Sequence, residues 1–115
     1  MKRLAEANNI TESDRRMLSE IKRIVTGMLP HAQLLLYGSV ARGEGGPESD
    51  YDVLVLTDGR LADAEERRVR NAVYDLEIER EVVIPLAFYS KGEWDSPLWQ
   101  VAPYRRNVEA EGVVL

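Results

Sequence analysis

Two short apolar runs on either side of a glycine-rich segment constrain the fold of this chain more than any other feature. Gln33 to Tyr37 is bounded by turn residues, and Asp50 to Thr57 opens with acids and continues as an apolar stretch. Such runs are typical of buried strands. The segment between them, residues 38–49, is predicted to be a loop with one helical turn around Ser39 to Arg42. We therefore expect two strands joined by this loop.

Helical periodicity precedes and follows these strands. An apolar stripe recurs at three- and four-residue steps, formed by Met17, Leu18, Ile21, Ile24, Val25 and Met28. Thr11 is expected to cap this helix, with Asp14 completing a weaker form of the capping box. Pro30 disfavours helix at the residue before it, so the helix should end near residue 29. A second helix is expected over residues 61–80.

The C-terminal part is predicted to add a third strand and a last helix. Val82 to Tyr89 is apolar and predicted to be a strand, and Pro85 inside it argues for a sheet edge or an irregularity. A helix is expected over about residues 97–111, with Gly112 as its stop. Val113 to Leu115 either forms a short final strand or packs down. This order predicts an α+β fold, a small mixed β-sheet flanked by helices, as one domain over residues 1–115.

Composition narrows the class of protein. The chain has 115 residues, a net charge of −5 and no cysteine. Disulfides and thiolate metal sites are therefore excluded, and any nucleic-acid contact has to be local. We see no apolar core of a signal peptide, and the longest mostly apolar run, residues 82–89, is far too short to span a membrane. These observations predict a cytoplasmic protein.

The candidate site is a Gly-Ser turn followed by two aspartates. Gly38 lets the backbone approach phosphate oxygens, and the amides of Ser39 and Val40 could donate to them. Arg42 offers a planar fork for phosphate. Side chains alternate along a strand, so two acids spaced i,i+2 share one face, roughly 6.6 Å apart along the backbone.

Those two acids are Asp50 and Asp52, hard oxygen ligands that suit Mg²⁺. Each element also has an ordinary reading, because a Gly-Ser pair is usually only a turn and Asp50 could simply start a strand. The combination favours a nucleotide and metal site.

The residues Gly38-Ser39-Val40-Ala41-Arg42-Gly43-Glu44, followed by Ser49-Asp50-Tyr51-Asp52-Val53-Leu54-Val55, resemble the signature of the minimal nucleotidyltransferases of the polymerase-β-like superfamily. The resemblance covers about residues 12–90. It implies Mg²⁺, a nucleoside triphosphate such as ATP, and transfer of a nucleoside monophosphate to a hydroxyl of a protein or RNA acceptor. It also implies that Gly38 and Ser39 hold the triphosphate, and that Asp50 and Asp52 bind metal. Proteins of this kind often pair with a helical HEPN-type partner in toxin–antitoxin modules.

The chain departs from that pattern in one respect. The superfamily pattern includes a third carboxylate on a later strand, but the run Val82 to Phe88 contains no acid. Glu81, just before it, is the only substitute that this part of the sequence offers. Without a third acid, the same fold could act as a weak or inactive antitoxin or regulatory subunit that binds a helical partner.

The two tryptophans bear on this second hypothesis. Trp94 and Trp99 either cover the small core or contribute to a partner surface. Arg105 and Arg106 either lie on an exposed helix face or join such a surface. A homo- or hetero-oligomer is compatible with either hypothesis.

Overall fold

A computed structural model describes residues 1–46 and 50–115. Ser49, which belongs to the signature above, lies outside the described residues. The strands are β1 (Lys2–Arg3), β2 (Gln33–Tyr37), β3 (Asp52–Thr57), β4 (Leu86–Ser90) and β5 (Val113–Val114). The helices are α1 (Glu12–Met28), α2 (Asp63–Arg80), α3 (Lys91–Trp94), α4 (Pro97–Gln100) and α5 (Pro103–Glu111), with a 3₁₀ turn at Leu4–Glu6.

The five strands form one mixed sheet in the order β1-β5-β2-β3-β4. The pairs β2–β3 and β2–β5 are antiparallel, whereas β3–β4 and β1–β5 are parallel. The predicted α+β fold, a mixed sheet flanked by helices, is confirmed. The strand β4 is an outer strand of the sheet, which is one of the two outcomes that Pro85 indicated.

The two central strands are buried on both faces, which explains their unbroken apolar sequences. On one face Leu34, Leu36, Val53 and Val55 join a core with α1 and α2. On the other face Leu35, Leu54 and Leu56 pack with Trp94 and Val108, which belong to α3 and α5. The sheet is therefore the middle layer of the fold, and side chains of β3 alternate between two helical layers.

Local signals account for the elements that the sequence predicts well. The β2 strand has the predicted bounds, and α1 begins after Thr11, whose Oγ1 accepts a 3.0 Å hydrogen bond from Asp14 N–H. The helix ends at Met28, since Pro30 disfavours helical geometry at Leu29. The final strand β5 is also present, with Gly112 ending the helix before it.

Two predicted boundaries are wrong, and a proline residue explains each of them. The sequence predicts a strand over 82–89, but β4 covers Leu86–Ser90, after Pro85, which has no N–H to donate to a ladder. The sequence also predicts one helix over 97–111. Here α4 and α5 are separate because Pro103 holds Ala102 in an extended conformation, with φ −70° and ψ 133°.

Three other elements differ from the sequence prediction. The strand expected over 50–57 begins at Asp52, because β2 ends at Tyr37 and the chain turns away at Gly38. The helix expected over 61–80 begins at Asp63, after Ala62 in an extended conformation. The strand β1 is too short and polar to carry a periodic signal. Within the two described ranges, no helix combines the length and the apolar character needed to cross a bilayer.

Candidate active site

Asp50 and Asp52 flank a residue that points into the core. Asp50 is exposed and Asp52 is half-buried, whereas Tyr51 between them is only 8% exposed. This alternation turns the Asp52 side chain to the side of the sheet opposite the Tyr51 ring, while Asp50 lies before the first residue of β3. The charge of Asp50 also reaches Asp52. The two acids therefore sit together at the start of β3.

Tyr51 is anchored to the neighbouring helix layer. Its hydroxyl donates a 2.6 Å hydrogen bond to Asp14 Oδ1 on α1, and burial together with this bond raises the pKa of Tyr51. Its backbone N–H donates to Val83 O at 3.0 Å. Thr11 caps α1 by accepting from the Asp14 N–H, while the Asp14 carboxylate accepts from Tyr51 and does not complete the predicted capping box. The segment that carries both aspartates is held from two sides.

Gly38 is the point where the turn meets the aspartates. The last pair of the β2–β3 ladder is Tyr37 with Asp52, so Gly38 follows directly beside them. Its φ is +82°, a conformation that glycine adopts without strain. A Cβ atom at this position would overlap Asp52 Oδ2. Only glycine therefore allows the turn to approach the carboxylate this closely.

The residues after Gly38 form one helical turn, as the sequence predicts. Arg42 N–H donates to Gly38 O at 3.2 Å and Glu44 N–H donates to Ser39 O at 2.9 Å. Val40 is buried, which fixes the turn against the core. Within residues 1–46 and 50–115, the N–H groups of Ser39 and Val40 and the Ser39 hydroxyl make no hydrogen bond. Two of the predicted phosphate-binding amides are thus unpaired, as at a helix N-terminus.

Gly38 N–H and Arg42 are instead bound by carboxylates. Glu111 Oε1 accepts from Gly38 N–H at 3.0 Å, and its Oε2 binds Arg42 Nη1 at the same distance. Arg42 Nε binds Glu44 at 3.1 Å. The two partners raise the pKa of the Arg42 guanidinium, so it carries its charge throughout the physiological range. Arg42 therefore lies at the site as expected, but already paired.

Glu111 is a residue that sequence reasoning misses. It ends α5, and the antiparallel pairing of Leu36 with Val113 brings it beside Gly38 at the end of β2. The signal that could have found it is the apolar Val113-Val114 pair, if its partner strand and register had been known. Local patterns do not specify such a long-range register.

The electrostatic environment of Asp52 is predominantly negative. Burial raises the pKa of Asp52, and the charges of Asp50 and Glu111 raise it further, while Arg42 opposes them. A cation placed between these acids would relieve both the burial cost and the repulsion. The chemistry of the site therefore suits a hard divalent ion such as Mg²⁺, with Asp50 and Asp52 as its protein ligands.

The part of the chain that the structure describes contains no group of three or more acidic, histidine or cysteine side chains placed to hold one metal ion. Such an ion would therefore take its other ligands from phosphate oxygens and water, which is usual for Mg²⁺. Glu81 does not supply a third acid. It is exposed, adopts a left-handed conformation at the end of α2, and is not among the charges that act on Asp52.

The strand that would carry the third acid of the superfamily pattern is apolar near the site. Leu54 of β3 pairs in parallel with Ala87 of β4, so Ala87 lies on the face that carries Asp52. Pro85 precedes it on the same alternation, and neither residue can bind a metal or accept a proton through its side chain. The departure noted from the sequence therefore holds in the structure.

The tryptophans lie farther along the same face of the sheet. Trp94 is 3% exposed, and Trp99 stacks on it with ring centroids 6.2 Å apart. Arg105 lies over the Trp94 ring and donates to Trp94 O at 2.8 Å, with only 15% of its side chain exposed. Trp94 therefore covers the core, and the contacts with Arg105 hold Trp94 in place. Arg106 is exposed, as a solvated helix face would be.

Comparison with protein families gives one match. The family model of the nucleotidyltransferase domain matches residues 18–113, which includes the Gly38 turn, both aspartates and Glu111. Among curated proteins, comparison of the sequence finds no match.

Proposed function

Because this chain belongs to the nucleotidyltransferase-domain family, we propose that it transfers a nucleoside monophosphate from a nucleoside triphosphate to a hydroxyl of a protein or RNA acceptor. ATP is the expected nucleotide and Mg²⁺ the expected cofactor. By the same reasoning, a HEPN-type helical protein is the first acceptor to test. Nucleotidyl transfer is the activity of the family, whereas the acceptor and the residue roles below are the proposal.

One observation carries the proposal. The Asp52 carboxylate lies against the Cα of Gly38, so this acid adjoins the start of the turn that we propose to bind phosphate. Ser39 and Val40 follow, and their N–H groups have no partner among the described residues. A triphosphate at this point would face amide donors on one side and carboxylates on the other. That combination binds a metal–nucleotide complex and repels a bare anion.

The chemistry follows from this placement. The acceptor oxygen would attack the α-phosphorus, the bond from that phosphorus to the pyrophosphate oxygen would break, and pyrophosphate would leave with the electron pair. Ser39 and Val40 would orient the phosphates through their N–H groups. When bound at Asp50 and Asp52, Mg²⁺ would polarise the phosphoryl group and offset charge on the leaving pyrophosphate. The proton of the acceptor hydroxyl would pass to solvent, since β4 carries no acid to receive it.

The experiment is transfer of label from a nucleotide. Each α-³²P-labelled nucleoside triphosphate is incubated with Mg²⁺, the protein, and either RNA or the protein encoded by a neighbouring gene. We expect a labelled acceptor, and loss of label when Asp50 and Asp52 are both changed to alanine. Asp75→Ala is a suitable control, because Asp75 is an exposed acid of α2. If no acceptor is labelled with any nucleotide, the proposal is wrong.

A second function is favoured by the apolar face of β4 near Asp52 and by an exposed apolar patch. Leu98 and Val101 are 79% and 62% exposed, and both lie next to the half-buried Trp99. General-base assistance is typically worth about 10²–10⁴-fold, so a site without it could be slow or inactive. The chain would then act by docking onto a helical partner. Binding that survives loss of both aspartates but is weakened by Trp99→Ala would support this function, and binding that needs the aspartates would contradict it.

A further inference from the structure

We propose that Glu111 is a positioning residue of this site, which fixes the turn Gly38–Arg42 in the conformation that meets the nucleotide phosphates. The inference rests on the proposed function. It assigns to the far end of α5 a role that the strand motif and the family pattern do not give it.

The Glu111 carboxylate bridges the two ends of the turn. The two oxygens of one carboxylate bind opposite ends of the turn, Oε1 to Gly38 N–H and Oε2 to Arg42 Nη1, each at 3.0 Å. A bridge of this kind holds the backbone at the start of the turn and the side chain at its end in one arrangement. Only 23% of the Glu111 side chain is exposed, so water competes less than it would at an open surface pair.

Glu111 is itself held in place by the end of a helix and the start of a strand. It is the last residue of α5, and two residues later Val113 pairs with Leu36 of β2. Gly112 between them packs so tightly that a Cβ atom there would overlap Val108 O. A side chain mounted on a helix end and a strand start is held more precisely than one on a free loop.

Glu111 does not act as a metal ligand, and it does not block the free amides of the turn. Among the described residues, Glu111 does not join Asp50 and Asp52 in a group placed to hold one ion, so it is not a third metal ligand here. Glu111 occupies Arg42 Nη1, one of the donors expected to meet phosphate, but among the described residues it leaves the N–H groups of Ser39 and Val40 without a partner. What remains is the support of the turn that presents those donors.

The test compares Glu111→Ala, Glu111→Gln and Glu111→Asp in the full chain. Two quantities are measured: amide hydrogen exchange at Gly38 by NMR, and the Kd of a non-hydrolysable ATP analogue with Mg²⁺. Loss of a charge-assisted hydrogen bond predicts about tenfold faster exchange at Gly38 and about tenfold weaker nucleotide binding in Glu111→Ala. Glu111→Gln retains one acceptor and the side-chain length, so it should be affected less. Glu111→Asp keeps the charge and should recover part of the affinity.

The matched control is Glu109→Gln. Glu109 lies on the same helix, is exposed, and pairs with Arg105 rather than with the turn. It should leave both quantities within about twofold of the unmodified protein. Unchanged exchange at Gly38 in Glu111→Ala would overturn the inference. Faster exchange with unchanged Kd would overturn it too, because Glu111 would then be structural only, and tighter binding would show that its carboxylate competes with phosphate.

Failure of the proposed function is distinguishable from failure of this inference. If the unmodified chain does not bind the analogue, or binds it equally well without Asp50 and Asp52, the proposed function is wrong. If binding requires both aspartates but is indifferent to Glu111, only the positioning role is wrong.

Discussion

Gly38 and Asp52 are so close that a Cβ atom on residue 38 would overlap Asp52 Oδ2. Residue 38 also has a positive φ, so an L side chain there would be strained even without the carboxylate. Two independent reasons therefore require glycine here: the positive φ of the backbone and the lack of space beside Asp52. Four predictions follow from this region and the elements that support it, and the first concerns Gly38 itself.

Gly38→Ala should destabilise the protein and displace Asp52. The positive φ and the overlap together should lower the free energy of unfolding by about 2 kcal/mol or more, measured by urea denaturation. Gly27→Ala is the opposite control, since Gly27 lies in α1 with open space around it. That substitution should raise stability by about 0.5–1 kcal/mol, because alanine is the better helix former. Equal effects of the two changes would contradict the close approach.

Asp52→Asn should make the protein more stable at neutral pH. The pKa of Asp52 is raised above its usual 3.8 by burial and by the charges of Asp50 and Glu111. The folded state therefore binds a proton more readily than the unfolded state. Stability from that proton is fully present below the ordinary pKa and is lost as pH rises through the raised one.

We therefore expect Asp52→Asn to increase the free energy of unfolding at pH 7 and to change it little near pH 3. The gain should stay below about 1 kcal/mol, because the carboxyl is partly exposed and screened. Urea denaturation at both pH values measures it. Asp75→Asn changes the net charge equally at an exposed site and should have no such pH-dependent effect. A less stable Asp52→Asn at pH 7 would show that the charged form is favoured here.

Tyr51→Phe should cost stability through one hydrogen bond. The change removes the hydroxyl that donates to Asp14 Oδ1 at 2.6 Å and leaves the half-buried carboxylate without this donor. Hydrogen bonds to charged groups contribute about 1.5–3 kcal/mol, which is the expected loss in thermal or urea unfolding. Tyr74→Phe, at a ring that is 57% exposed on α2, should be nearly neutral. If both changes had the same effect, the bond to α1 would not stabilise the fold.

Mg²⁺ with ATP should raise the melting temperature. A ligand that binds only the folded state adds about 2.7 kcal/mol at 100 times its Kd. On the proposed role of the two acids in holding the metal, the variant with Asp50→Asn and Asp52→Asn should show no shift, while Asp75→Asn should keep it. Addition of a chelator such as EDTA should reverse the shift in the unmodified protein. A shift that persists with the chelator would mean that nucleotide binds without the metal.

Sequence patterns predicted the parts of this fold that local rules determine. The cap at Thr11, the bounds of β2 and the turn after Gly38 each depend on residues within a few positions of one another. The position of Asp52 opposite the Tyr51 ring follows from the alternation of side chains along extended backbone. These features needed no knowledge of distant partners.

The remaining features depend on contacts between distant segments. Glu111 reaches Gly38 only because β5 pairs with β2, a register that the two valines of β5 cannot specify by themselves. The pairing of β1 with β5 has no local signal either. Arg105 also depends on a distant contact. Its charge suggested an exposed position, but in the fold its side chain packs over the ring of Trp94.

The burial of Tyr51 has a consequence for how durable the candidate site is. The two aspartates form few hydrogen bonds with other described residues. Their direction is set by the Tyr51 ring between them, which is buried in the protein. Rotating the acids away would expose that ring to water and break its hydrogen bond to Asp14, at a cost of roughly 3–6 kcal/mol. Heating should therefore leave the acids aligned until the whole domain melts, so the loss of ligand affinity and the loss of tertiary structure should coincide.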